Sequence, residues 1–171
     1  MAMEWTGARY ADCPSVEVET HVDAPPERVW VVVSDVELMP SMSGELQRVE
    51  WEHGAGEVGS SFVGHSKHPA IGEWSTTSYV IESEAPRVFA WAVGDATRPA
   101  ASWRFSLERV DGGTRLRQWM QMGPARSGLS SAIDRMPDKE QKIVHGRMRE
   151  FEASMTATLA AIKERVERVS D

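Results

Sequence analysis

The last third of the chain constrains its fold most. From about Asp138 to Val169 the apolar residues fall at Val144, Met148, Phe151, Met155, Leu159, Ile162, Val166 and Val169. The steps alternate between three and four, which lays one stripe along a helix. At 1.5 Å per residue such a helix is about 45 Å long. The region before it reads almost entirely as short strands. A lone long helix after an antiparallel sheet must bury its stripe against that sheet, and where a curved sheet wraps one helix the space between the two is often an apolar pocket.

The strands follow from alternation and turn chemistry. Val16 to Val22 alternates with period two and predicts the first strand. Pro25-Pro26-Glu27 then starts a short helix through Val33, because proline suits a first helical turn and glutamate complements the helix start. The valine-rich stretch 29–33 alone would favour a strand. A second short helix is expected over Glu37 to Ser43, followed by strands at Leu46–His53, Ser60–His68, Glu73–Glu84, Arg87–Gly94, Ala101–Val110 and Thr114–Met122. Leu129, Ile133 and Met136 have helical spacing, and Asp138 with Gln141 resembles a capping box for the long helix.

Two hairpins predict a register. With Gly112-Gly113 as a two-residue turn, Leu107 faces Gln118, Phe105 faces Met120 and Trp103 faces Met122, while Glu108 faces Arg117 and Arg104 faces Gln121 on the other side. With Ala85-Pro86 as the turn, Val80 faces Trp91, Ser78 faces Val93 and Glu82 faces Phe89. Phe89, Trp91 and Val93 belong in the core, so Thr76, Ser78 and Glu82 are expected to point inward and Tyr79 outward.

Composition narrows the function classes. The net charge of −7 argues against a nucleic-acid surface, which needs clustered Lys and Arg. Arg135, Lys139, Lys142, Arg147 and Arg149 are interleaved with Asp134, Asp138, Glu140, Glu150 and Glu152, and read as a solvated mixed-charge helix face. No apolar run reaches the roughly 18 residues of a membrane span, and the N-terminus lacks a signal-peptide pattern. A single cysteine, Cys13, excludes an internal disulfide and fits a reducing, cytoplasmic location. The expected organisation is a loose N-terminal arm, residues 1–15, and one domain, residues 16–171.

Of the five histidines, His65 and His68 are closest, but a spacing of three puts them on opposite strand faces. No zinc-type cluster, phosphate loop or nucleophile elbow is present, so no metal and no cofactor are expected.

The order of strand, two short helices, six strands and long helix resembles the helix-grip fold of the START-like (SRPBCC) superfamily. The stretches HVDAPPERVW (from His21), GEWSTTSYVIESEAPRVFAWAV (Gly72 to Val93), WRFSLERVDGGTRLRQ (Trp103 to Gln118) and GPARSGLSSAIDRMPDKEQKIV (Gly123 to Val144) carry the likeness. It is closest to bacterial polyketide cyclase/dehydrase-like proteins. The resemblance implies an α+β fold with a seven-stranded curved antiparallel sheet around the C-terminal helix.

It further implies a ligand space lined from the sheet by Phe62, Trp74, Thr76, Ser78, Val80, Phe89, Trp91, Trp103, Phe105, Gln118 and Met120. Met148, Phe151 and Met155 would close that space from the helix. Such a lining suits a hydrophobic small molecule, lipid, polyketide or isoprenoid-like, held by a monomer or homodimer. Two alternatives stay open. One is an aromatase/cyclase-like enzyme acting by aldol cyclisation or dehydration, with His68 and Gln118 as catalytic candidates beside Tyr79 and Glu82. The other is a ligand-free protein-interaction module marked by exposed Trp119 and Tyr79. No catalytic set stands out, which favours binding.

Overall fold

The computed structural model describes residues 3–168, so Val169 of the helical stripe lies outside the described residues. Seven antiparallel strands form one sheet: β1 (Ser15–Val22), β2 (Leu46–His53), β3 (Ser61–His68), β4 (Gly72–Glu84), β5 (Val88–Val93), β6 (Ala101–Val110) and β7 (Gly113–Met122). Their order across the sheet is β1-β7-β6-β5-β4-β3-β2. Helix α1 (Pro26–Val33) and a 3-10 segment (Val36–Met42) follow β1, and α2 (Gly128–Arg135) follows β7. A 3-10 turn (Pro137–Lys139) leads into the long helix α3 (Glu140–Arg168).

The expected helix start at Asp138 is therefore corrected. Residues 137–139 take the tighter 3-10 turn, and Gln141 makes no capping box; its Nε2 donates instead to the Gly7 carbonyl at 2.7 Å. That bond belongs to a larger correction. The N-terminal segment, expected to be loose, is tied to α3: the Met3 amide donates to Glu152, the Tyr10 amide to Glu140, and Trp5 packs edge-on to His145.

Valine-rich α1 is helical because Pro26 occupies its first turn with Glu27 behind it, and Val29 and Val33 are buried on one face. The stripe of α3 buries Val144, Met148, Met155, Leu159, Ile162 and Val166. Each such aliphatic side chain taken fully out of water contributes about 1.5–3 kcal/mol. The helix lies chiefly along β1 and β7, at one side of the sheet. Its N-terminal half packs on Val16, Met120 and Met122, and its C-terminal half on a core that includes Val22, Val29, Phe105 and Leu116.

Both hairpin registers are revised. In β6–β7 the turn is Asp111-Gly112, with Gly112 at φ +79°, and Val110 pairs with Gly113. Leu107 therefore faces Leu116, Phe105 faces Gln118 and Trp103 faces Met120; Glu108 faces Arg115, and Arg104 faces Trp119. The slip is by two residues, so every side chain keeps its expected face. In β4–β5 the pairs Ser78–Val93 and Val80–Trp91 form as expected, but a bulge follows Val80. It pairs Glu82 with Ala90 and Ser83 with Phe89. The extra residue turns Glu82 to the outer face, where its carboxylate lies 3.5 Å from Arg104 Nε.

That outer face is a polar lattice in which Arg115 and Arg117 each approach both Glu19 and Glu108. The Arg104 guanidinium lies over Trp119, 5.0 Å from the ring centre. Trp119 and Tyr79 are half-buried rather than exposed.

Candidate functional site

Register divides the concave face into rungs. One rung carries Val80, Trp91, Trp103, Met120 and Val16. The indoles of Trp91 and Trp103 lie nearly parallel on it, with centroids 6.3 Å apart. On one side of this pair lies the rung of Phe89, Phe105, Gln118 and Val18. There the interior is filled: Phe89, Phe105, Leu116, Leu159 and Ile162 are all buried, and Trp30 of α1 meets Phe89 edge-on.

On the other side of the tryptophan pair the floor is built from small residues. Ser78 pairs with Phe62 and Val93, Val93 pairs with Ala101, and Thr76 pairs with Gly64. β3 and β4 continue past β5 and β6 through Ser66–Trp74 to His68–Gly72. Trp74, Thr76, Trp103 and Phe151 point into this region yet stay only half-buried. Solvent reaches these inward side chains, and the region they line is the candidate cleft. Phe151 closes it from α3, its ring edge-on to Trp103 at 5.4 Å.

The outer end of the cleft is polar. His68 Nε2 lies 2.6 Å from a carboxylate oxygen of Glu150, and His68 Nδ1 accepts the Ala70 amide at 3.0 Å. With Nδ1 accepting, the ring proton sits on Nε2 and points at Glu150. Arg147 donates from both terminal nitrogens to Glu45, at 3.1 Å and 2.7 Å, and its guanidinium lies 4.3 Å from the Phe151 ring centre. A further 3.5 Å contact reaches Glu150. Glu45, Arg147, Glu150 and His68 thus form one array, joining α3 to the start of β2 and the end of β3.

The expected site residues separate accordingly. Trp74, Thr76, Ser78, Trp103, Phe151 and His68 come together around the cleft, with Phe62 and Trp91 at its base. Val80, Phe89, Phe105 and Gln118 lie in or toward the filled half. Met120, Met148 and Met155 pack in a second cluster with Val16, Met122 and Val144. The two catalytic candidates are not neighbours, because the tryptophan rung lies between Gln118 and His68. Gln118 is 6% exposed and its Oε1 has no hydrogen-bond partner.

Sequence reasoning missed Arg147, Glu45 and Glu150. Arg147 is 8% exposed and does not belong to a solvated face. A signal existed: it stands three residues after Val144 and four before Phe151, on the apolar stripe itself. Two surface depressions lie elsewhere. One, of about 410 Å³, is lined by Asp23–Pro25, Arg109, Val110, Gly112 and Gly113; the other, of about 10 Å³, lies under Met3 beside His145 and Met148. Among the described residues no group of three His, Cys, Asp or Glu is placed to hold a metal, and no helix is long and apolar enough to cross a membrane.

Known structures share this architecture. A polyketide-cyclase-like protein of Corynebacterium glutamicum is 28% identical, with 90% of this chain and 91% of that chain aligned and a TM-score of 0.65. An aromatase/cyclase of Streptomyces sp. R1128 is 22% identical over 91% of this chain and 94% of its own, TM-score 0.69. A Thermus thermophilus protein is 16% identical over 92% and 100%, TM-score 0.63. The latter two establish the fold alone. No curated protein sequence matches the chain. The family model described as polyketide cyclase/dehydrase and lipid transport matches residues 14–167, nearly all of the helix-grip fold traced above, and the chain belongs to that family.

Proposed function

We propose that this protein binds a hydrophobic small molecule in the cleft between α3 and the β3–β4 end of the sheet. The observation that carries the reading is the contrast between the two halves of the concave face. One half is packed with Phe89, Phe105, Leu159 and Ile162. The other is floored by Gly64, Thr76, Ser78 and Ala101 beneath half-buried Trp74, Trp103 and Phe151. Aromatic walls with a few hydroxyls suit an apolar ligand carrying one or two polar groups, and movement of Phe151 would widen the space.

Binding is favoured over cyclase-type catalysis by the state of His68. Both ring nitrogens are engaged, one by Ala70 and one by Glu150, so no free lone pair faces the cleft to take a substrate proton.

The test is native mass spectrometry of protein purified from its own host, beside a Thr76→Trp variant whose indole fills the cleft. The expected result is a discrete apolar ligand on the wild type, absent from a variant that melts at the same temperature. A wild type with no copurified ligand and no uptake of an apolar dye overturns the reading.

A further inference from the structure

Resting on that binding reading, we propose that the cleft selects apolar ligands ending in an amine and rejects those ending in a carboxylate. At the β3–β4 end that floors the cleft the inward positions carry no formal charge: the polar groups there are the hydroxyls of Ser66, Thr76 and Ser78 and the His68 imidazole. Arg147, beside the cleft on α3, is buried, and both of its terminal nitrogens are committed to Glu45. With the imidazole neutral, Glu45, Arg147 and Glu150 together carry one net negative charge.

Glu150 is the reachable end of the array. Its side chain is 49% exposed, one oxygen receives His68 and the other lies 3.5 Å from Arg147. It directly precedes Phe151, whose ring already holds a guanidinium over its face. Trp74 stands diagonally across from His68 in the β3–β4 ladder. An ammonium group at this rim finds a half-free carboxylate and aromatic rings, the two partners that stabilise an organic cation out of bulk water. A carboxylate at the same place meets like charge and no unpaired cation.

The experiment is displacement of the neutral dye N-phenyl-1-naphthylamine by decylamine, decanol and decanoate, at neutral pH, low salt and below micelle formation. Decylamine is expected to compete at roughly tenfold lower concentration than decanoate, with decanol between them. In Glu150→Gln the amine is expected to fall to the level of the alcohol. In the wild type, raising salt from about 0.02 M to about 0.5 M should shrink the amine preference in the same direction, since the rim is solvent-exposed. This second readout stands even if the variant folds poorly. Decanoate competing as well as decylamine, or an amine preference indifferent to both Glu150→Gln and salt, overturns the selectivity and leaves binding intact. Failure of the dye and all three competitors to bind overturns the binding reading itself, and the selectivity with it.

Discussion

Arg147 forks onto Glu45 across the mouth of the cleft, joining the long helix to the strand at the far edge of the sheet. α3 lies along β1 and β7, whereas Glu45 precedes β2, six places along the strand order from β1. Sheet curvature brings the two together. The bidentate geometry matches a planar guanidinium to a planar carboxylate, and the same guanidinium stacks on Phe151.

Removing this side chain should therefore cost more than a surface ion pair. Arg147→Ala leaves Glu45, whose side chain is 27% exposed, without its partner and uncovers the Phe151 face. Partial solvent access to Glu45 moderates the cost, which we expect at about 2–3 kcal/mol in urea unfolding. Arg147→Lys should recover less than half of it, because an ammonium cannot fork or stack. Loss of under 0.5 kcal/mol in Arg147→Ala would put the pair in the class of ordinary surface bridges.

Gln118 predicts the opposite sign. Its Oε1 is buried without a partner, on the filled side of the tryptophan rung, beside Phe105 and Val18. Replacing an unsatisfied amide by an apolar group of similar size removes a desolvation cost. Gln118→Leu should raise stability by about 0.5–1.5 kcal/mol. Gln118→Ala should lower it by about 1–2 kcal/mol through the space left behind. A Leu variant less stable than wild type would mean that the amide has an ordered water or other partner.

The fold was legible because its signals are local. The stripe of α3, the alternation in β1 and the turns at Ala85-Pro86 and Gly112 each act within a few residues, and strand parity survives a slip of two. Glu82 shows where this stops: nothing local marks the bulge after Val80, which depends on fitting a long strand to a short one. The cleft was legible as a set of inward residues but not as a space. Register placed Thr76 and Phe89 on the same face, yet only α1 and the path of α3 decide that Phe89 is packed in and Thr76 is left open. The rim array was harder still. Glu45 and Arg147 are 102 residues apart, and charged residues on an apolar stripe are easily assigned to the solvent side.

Gly113 is fixed by close approach. An added Cβ would lie 2.0 Å from the Val22 carbonyl oxygen, and its φ of +151° disfavours any side chain. The crowding joins the start of β7 to the end of β1, where Thr114 Oγ1 also donates to the Ala24 carbonyl. Gly113→Ala should destabilise by at least about 2–3 kcal/mol, read as a lowered melting temperature. Gly112→Ala, with open space around its Cβ but φ +79°, should cost about 1–2 kcal/mol. Equal costs at the two positions would show that strain, not the clash with Val22, sets both.

Asp95 gives the protein an acid-sensitive turn. Its Oδ1 accepts from the Arg98 amide at 2.9 Å, the Thr97 hydroxyl at 2.8 Å and the Thr97 amide at 2.7 Å, folding the β5–β6 connection back on itself. These donors, the Arg98 amide foremost, favour the carboxylate and hold its pKa below the ordinary aspartate value of 3.8. A depressed folded-state pKa adds stability that is complete above the unfolded value and is lost as pH falls toward the folded one. The acid limb of the stability curve should therefore contain a contribution from Asp95 that disappears as pH drops below the ordinary aspartate range. In Asp95→Asn that contribution is absent at every pH, although the amide oxygen can still accept from the turn. The variant should be less stable than wild type at pH 7, and the gap should narrow as the pH is lowered. Thermal melts at pH 7 and at about pH 3 check this: a gap that stays constant, or widens in acid, would show that the carboxylate's charge contributes nothing to the turn.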